Sequence, residues 1–307
     1  MNVSAEEKRP VIVGLGEVLW DVFPDGPRFG GAPANYACSV ASLSSLSSLS
    51  QVDVFMVGGV GADDLGQRAI EEFRTRNVNT SVLQTTEKPT GVVNVAVDPH
   101  GVASYEFAAN AAWDNLQWTA QLQTLAERTT AVCFGSLGQR SDESRSVMLQ
   151  FVSTTPAHCL RIFDINLRPP FYTNDIIVES LKLANVLKLN DDELPVVAAL
   201  SGEDSSSLSE DEVLRKIAER WSLQTIALTR GAEGATLFHD GDLWKCSAVS
   251  TSVVDTVGAG DSFTAAMTLG LLAGTKPNRI CEHACRVAAY VCSQPGATPA
   301  IPSDLRL

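Results

Sequence analysis

Short β-rich apolar runs alternate with helical segments along nearly the whole chain, and this rhythm constrains the fold more than any other feature. The runs Val11–Val13, Val52–Val57, Ala131–Phe134, Leu160–Ile165, Val186–Leu189 and Thr225–Leu228 read as strands buried on both faces. Spacing predicts helices over Ala32–Leu43, Asp64–Arg76, Asp142–Val152, Asp211–Trp221, Gly260–Leu272 and Asn278–Ser293. Parallel neighbours need a crossover, usually a helix, so the pattern specifies a mainly parallel sheet covered by helices. Two stretches break it. Val18–Phe23 and Gly91–Phe107 alternate like half-buried strands, the second bent around a turn at Asp98-Pro99-His100-Gly101. They fit a small accessory sheet or lid rather than the centre of the main sheet.

With 45% hydrophobic and 19% charged residues, the 307-residue chain has enough apolar material for a sizeable core. Lys and Arg total 23 against 36 Asp and Glu, a formal charge of −13, which argues against a nucleic-acid or anionic-membrane binder. The chain holds no run of eighteen apolar residues, and its first ten residues lack a secretory signal's apolar stretch, so a cytoplasmic protein is expected. Seven cysteines are scattered without a CxxC pair. Cys281 and Cys285 share a helical face from which His283 points away, so reduced thiols are expected rather than zinc. Ser42–Ser50 reads as a helix end running into a surface loop, and Ser201–Asp211 as a solvated loop. No linker divides the chain, which implies one domain over residues 1–307.

The richest segment for chemistry is Asp255-Thr256-Val257-Gly258-Ala259-Gly260-Asp261-Ser262-Phe263, which opens a helix. A small-residue turn there presents unpaired N–H groups, and with the helix dipole these make an anion site. Asp261 is either a helix cap or a general base beside that site. Gly30-Gly31-Ala32-Pro33-Ala34-Asn35 is a second helix entry open to close approach, and the amide of Asn35 there can bond two hydroxyls. Asp21 lies in the apolar run LWDVF, where a carboxylate needs hydrogen bonds. Asn166 ends a strand, on the side where α/β sheets bind ligands. A P-loop is absent, and Gly14-Leu15-Gly16 lacks the third glycine of a dinucleotide fingerprint.

These segments together resemble the PfkB (ribokinase-like) carbohydrate kinases. GLGEVLWDVFPDG, GGAPAN, VGGVGADDLG, DINLRP, LNDDE, TRGAEG, DTVGAGDSF and PGATPAIP occur in the family's order along nearly the whole chain. The resemblance implies a ribokinase-like three-layer α/β/α sandwich, its central sheet mostly parallel, with a small β-sheet lid over about residues 17–30 and 91–108. It implies Asp261 as the base that deprotonates a sugar hydroxyl, with Gly258, Ala259 and Gly260 forming the anion hole. It further implies Asp21, Gly30, Gly31, Asn35, Asn94, Phe107, Asn166 and Arg168 as sugar-binding residues. Asn190, Thr229, Arg230, Gly231 and Gly234 would border ATP, and Glu193 would organise Mg²⁺ through water. Asp255 would hold a monovalent cation such as K⁺, and two copies would pair through their lids.

GEVLWDVFPDG with GGAPAN is most similar to bacterial and plant fructokinases, which implies phosphorylation of fructose to fructose 6-phosphate. Ribokinase, 2-keto-3-deoxygluconate kinase and nucleoside kinase are alternatives within the family, and a non-catalytic sugar-binding or regulatory relative is the alternative of a different class. The expected pocket is neutral or acidic apart from Arg168, which favours a neutral sugar. Trp113 is expected either to stack on that sugar or to pack in the core.

Overall fold

The computed structural model describes residues 9–44, 52–97, 103–203 and 207–305. In chain order the strands are β1 (Val11–Leu15), β2 (Leu19–Phe23), β3 (Gly26–Gly30), β4 (Asp53–Val57), β5 (Gly59–Gly61), β6 (Gln84–Thr86), β7 (Gly91–Val97), β8 (Ala103–Phe107), β9 (Ala131–Phe134), β10 (Leu160–Asp164), β11 (Val186–Asn190), β12 (Thr225–Thr229), β13 (Ala235–His239) and β14 (Asp242–Cys246). The helices are α1 (Ala32–Ser44), α2 (Asp64–Thr75), α3 (Ala120–Ala126), α4 (Asp142–Thr154), α5 (Asn174–Leu183), α6 (Leu194–Leu200), α7 (Glu210–Trp221), α8 (Ala259–Leu272) and α9 (Pro277–Cys292).

The main sheet has eight strands in the order β14-β13-β12-β11-β10-β9-β1-β4. From β12 to β4 its neighbours are parallel, while β13 and β14 add an antiparallel hairpin at one edge. Strand periodicity sorts its side chains into two cores. Ile12, Cys133, Ile162, Val186 and Ala227 pack with α1, α8 and α9. Val13, Val132, Phe163, Leu187 and Ile226 pack on the other face with residues of α3, α4, α5, α6 and α7. Helix α8 is buried from Ser262 through Gly270, as expected of a helix enclosed by a sheet and two further helices rather than lying at the surface.

A separate four-stranded sheet, in the order β3-β2-β7-β8, contains both stretches that broke the rhythm in the sequence. It joins to the main core through Trp20 and Phe29, which pack edge to face at 5.5 Å, with Phe29 in turn against Phe73 of α2. The expected turn at Asp98–Gly101 lies outside the described residues, as do residues 45–50 of the serine–leucine segment and 204–206 of the acidic loop. Among the described residues no helix is long and apolar enough to cross a membrane.

The six expected main-sheet strands and six helices are all present, with ends shifted by a few residues. Helices α3, α5 and α6 and the β13–β14 hairpin were not anticipated. Thr119 and Thr173 mark two of those helices by capping them through backbone N–H groups. Asp240-Gly241, both at positive φ, mark the hairpin.

Candidate active site

The carboxyl ends of β1, β9 and β10 meet the first turns of α1 and α8 at a narrow crevice. Its walls include Glu17, Tyr36, Cys133, Ser136, Asp164, Asn166 and Asp261. Helix α8 enters it through Gly258, whose φ of +79° suits glycine and whose missing Cβ leaves room for the Ala297 carbonyl. Asp255 pins this turn to the closing segment: its Oδ1 accepts from Val257 N at 3.0 Å and its Oδ2 from Gly296 N at 3.2 Å. Ser262 N donates to Gly258 O at 2.9 Å, closing the first helical turn, so the N–H groups of Gly260 and Asp261 precede the helix's own bonding. Unpaired N–H groups at the positive end of a helix are suited to an anion.

Asp261 is thus set at the positive end of α8, and its Oδ2 accepts from Asn35 Nδ2 at 2.9 Å. Burial, reinforced by the nearby Asp164 carboxylate, pushes Asp261 up to about 7, against the pull of Asn35 and Lys188. A carboxylate titrating there can both lose and regain a proton near neutrality. Asn35 is brought to it by the entry of α1. Gly31 has φ +108°, and a Cβ on it would lie 2.6 Å from Glu17 O, so the chain turns here only with glycine.

On the small sheet, Asp21 stands over Gly30, where a Cβ would come within 2.8 Å of Asp21 Oδ2. Burial pushes Asp21 up to about 6, with Arg168 and Arg28 opposing. Arg168 is exposed, and its charge opposes the upward shifts of Asp21 and Glu17. Asn166 lines the crevice at φ +39°. Phe107 meets Phe171 edge to face at 5.1 Å. The register corrects one expectation. Asp21 pairs with Val93 and Val93 with Phe107, so these three share a face of the small sheet; Asn94 pairs with Val22 and Glu106 on the opposite face and is exposed. Trp113 is core: it is 2% exposed, with the Arg140 guanidinium 4.0 Å above its ring.

The segments expected to border a nucleotide follow β11 and β12. Asn190 Oδ1 accepts from Glu193 N at 2.9 Å, while the Glu193 carboxylate accepts from Asn190 N at 2.9 Å and Leu167 N at 2.8 Å. Glu193 therefore ties the DINLRP loop to the LNDDE loop. Thr229 donates to Leu189 O at 3.4 Å, and Gly231 and Gly234 turn the chain at φ +50° and +94°. Arg230 is not a free cation: its Nη1 lies 3.0 Å from Glu210 at the start of α7. Val249, Val253, Val254 and Val257, on the loop leading into Gly258, are exposed.

Three charged residues at this site were not singled out in the sequence. Glu17 is 2% exposed and is pushed up to about 7 by burial, against its own N–H, that of Ala32 and the fields of Arg168 and Arg140. Asp164 and Lys188, neighbours on β10 and β11, form a buried ion pair at 3.1 Å. The available signal was the one used for Asp21: a charge inside an apolar strand run.

The model of the pfkB family carbohydrate kinases matches residues 24–304. A fructokinase of Escherichia coli is 26% identical over 307 residues, covering 94% of this chain and 95% of that protein. An uncharacterised sugar kinase of Pyrococcus horikoshii, solved in complex with ATP, superposes with a TM-score of 0.74 at 24% identity over 96% of each chain. An aminoimidazole riboside kinase of Salmonella enterica, solved with aminoimidazole riboside and an ATP analogue, gives 0.77 at 21% identity over 96% of this chain and 98% of that one.

Proposed function

Given that the chain belongs to the pfkB family of carbohydrate kinases and is an ATP-dependent sugar kinase, we propose that it transfers the γ-phosphoryl group to a hydroxymethyl group of a neutral sugar, fructose before others. The observation that carries this reading is the Asn35–Asp261 hydrogen bond at the mouth of α8, where a base and an anion-binding turn share one helix end. Phosphoryl transfer asks for positioning and charge neutralisation more than for covalent chemistry. In this reading Asp261 takes the hydroxyl proton, and the N–H groups of Gly260 and Asp261, presented by the Gly258–Ala259–Gly260 turn, receive the transferring phosphoryl. Asn35, Asp21 and Asn166 hold the sugar hydroxyls, with Arg168 and Phe107 closing that side and Gly30 and Gly31 giving the sugar close access to backbone.

Asn190, Thr229, Gly231 and Gly234 border the phosphates in this reading. No group of three or more metal-ligating side chains occurs among the described residues. That fits Mg²⁺, which keeps several waters and is held chiefly by substrate phosphates with one or two carboxylates. In this reading Glu193, whose two oxygens accept from backbone N–H groups, makes such a contact through water. Bound there, the ion would neutralise phosphate charge. K⁺ beside Asp255 and pairing of two copies through the small sheet belong to the same proposal; a K⁺/Na⁺ activity titration and light scattering test them.

Fructokinase and aminoimidazole riboside kinase relatives differ in substrate, so a substrate panel is the deciding experiment. Purified protein is assayed for ADP formation with fructose, ribose, 2-keto-3-deoxygluconate, a nucleoside and aminoimidazole riboside. Highest kcat/KM on fructose supports the reading. Highest kcat/KM on the acid or the nucleoside overturns the neutral-sugar assignment.

A further inference from the structure

Asp164 and Lys188 are register partners in the parallel pair β10–β11, and their side chains project to the face covered by α8. Lys188 Nζ lies 3.1 Å from Asp164 Oδ1, with the two side chains 9% and 6% exposed. Asp164 Oδ2 accepts from Thr264 Oγ1 at 2.9 Å, and the same hydroxyl lies 3.0 Å from Gly260 O. The ammonium presses against the turn itself: a Cβ on Gly260 would come within 2.9 Å of Lys188 Nζ. The pair therefore sits directly beneath the backbone that opens α8, one turn or less from Asp261. Apolar side chains of similar size would fill this space at little cost in stability, because buried ion pairs often stabilise no better than hydrophobic replacements. A buried cation beneath the turn that opens α8 calls for another explanation.

Resting on the kinase reading above, we propose that Lys188, oriented by Asp164, is a positioning residue that supplies positive charge through the Gly260 turn to the transferring phosphoryl group and to Asp261. Burial opposes the charge on Lys188, but Asp164, followed by Glu193 and Asp261, outweighs it and raises its pKa, so the ammonium persists through the working range. The groups facing Asp261 are Asn35 and Tyr36 from α1, Glu17 after β1, Cys133 from β9, Asp164 from β10 and Lys188 from β11. Burial pushes Tyr36 and Cys133 up, so both stay neutral. Glu17 and Asp164 raise Asp261, while Lys188 is the cation that lowers it. Removing either member of the pair should therefore move Asp261 in opposite directions, which a merely structural pair would not do.

The test measures kcat, sugar KM and the acid limb of the pH profile for wild type, Lys188→Met, Asp164→Asn and the double variant. Lys188→Met should lower kcat by about 10- to 100-fold with sugar KM changed less than about threefold, and shift the acid limb upward. Asp164→Asn should shift that limb downward. The double variant replaces the pair by neutral side chains of similar size; it should fold and keep the low kcat of Lys188→Met. Shifts in the same direction, no shifts, or recovery of kcat in the double variant overturn the proposal. So does a double variant that fails to fold, since the pair would then serve the fold first. Asp261→Asn is run alongside: if wild type shows no turnover, the kinase reading fails, whereas turnover unaffected by Lys188→Met sinks this inference alone.

Discussion

Asn35 Nδ2 donates to Asp261 Oδ2 across 2.9 Å, joining the first turns of α1 and α8. The contact bridges two glycine-containing segments that are 226 residues apart in the chain. Each alone reads as a helix entry; together they place an amide and a carboxylate in one crevice. The amide keeps a second polar atom, Asn35 Oδ1, buried without a partner among the described residues.

Asp261→Asn keeps the shape of the side chain and removes its basicity. The expected result is a loss of about 10²–10⁴-fold in kcat with sugar affinity changed little. Steady-state kinetics together with calorimetric titration of the sugar check both halves. Retained turnover would remove Asp261 from the role of base.

The pH profile follows from the same group. Asp261 is pushed up to about 7, chiefly by burial, and a base works only when ionised. The kcat/KM for sugar should therefore fall about tenfold per pH unit below that value and level off above it. A profile flat from pH 5.5 to 8 contradicts this assignment.

Stability should run the other way. Glu17 and Asp261 are each raised to about 7 and Asp21 to about 6, all mainly by burial. For a carboxyl raised in the folded state, the stabilising contribution is fully present below its unfolded pKa and is lost as pH rises through the folded value. These three groups should make the protein more heat-stable near pH 5.5 than at pH 8. Glu17→Gln should raise Tm at pH 8, by about 2–4 °C for each kcal/mol recovered, and flatten the dependence between the two pH values. A Tm that falls at pH 8 on this substitution would show that the Glu17 carboxylate is satisfied in its charged form.

The main-sheet strands and most of the site were legible in the sequence because they rest on local rules. Apolar runs make buried strands, and Gly258 and Gly31 stand where the chain needs positive φ or close backbone approach. What was not legible depends on register and on long-range contact. Asn94 looked equivalent to its neighbours until pairing with β2 and β8 put it on the outer face. Arg230, expected to border ATP, pairs with Glu210, twenty residues upstream, a contact that sequence spacing does not show. Lys188 sits at an alternate position in VLKLN, a pattern that identifies a face but not the carboxylate on the adjoining strand.

Gly258→Ala tests the entry of α8. Its φ of +79° is costly for alanine, and the added Cβ would run into the Ala297 carbonyl. Strain of this kind costs about 1–3 kcal/mol if the turn persists. If the turn relaxes instead, the anion site is displaced. Either a lowered Tm or a lowered kcat is expected, whereas the same substitution at Gly241, where nothing lies within 4 Å, should leave kcat unchanged despite similar backbone strain. Equal kcat losses at both positions would show that backbone strain alone, and not the Gly258 turn, is being read.

Glu193→Gln addresses how the two loops are coupled. The native carboxylate accepts from Leu167 N with one oxygen and from Asn190 N with the other, so it needs two acceptors. Glutamine supplies one oxygen and one NH₂, and the NH₂ must face a backbone N–H. That leaves a buried donor unpaired, at a cost of roughly 1–3 kcal/mol. The substitution also frees the loop after β11 from the loop after β10. KM for ATP should rise more than KM for the sugar, since Asn190 lies on the side assigned to the nucleotide, and Tm should fall. Restoring the acceptor with Glu193→Asp is not expected to rescue, because the shorter carboxylate cannot reach both N–H groups at 2.8–2.9 Å. If Glu193→Gln changed Tm alone, with both KM values intact, the tie would serve only the fold.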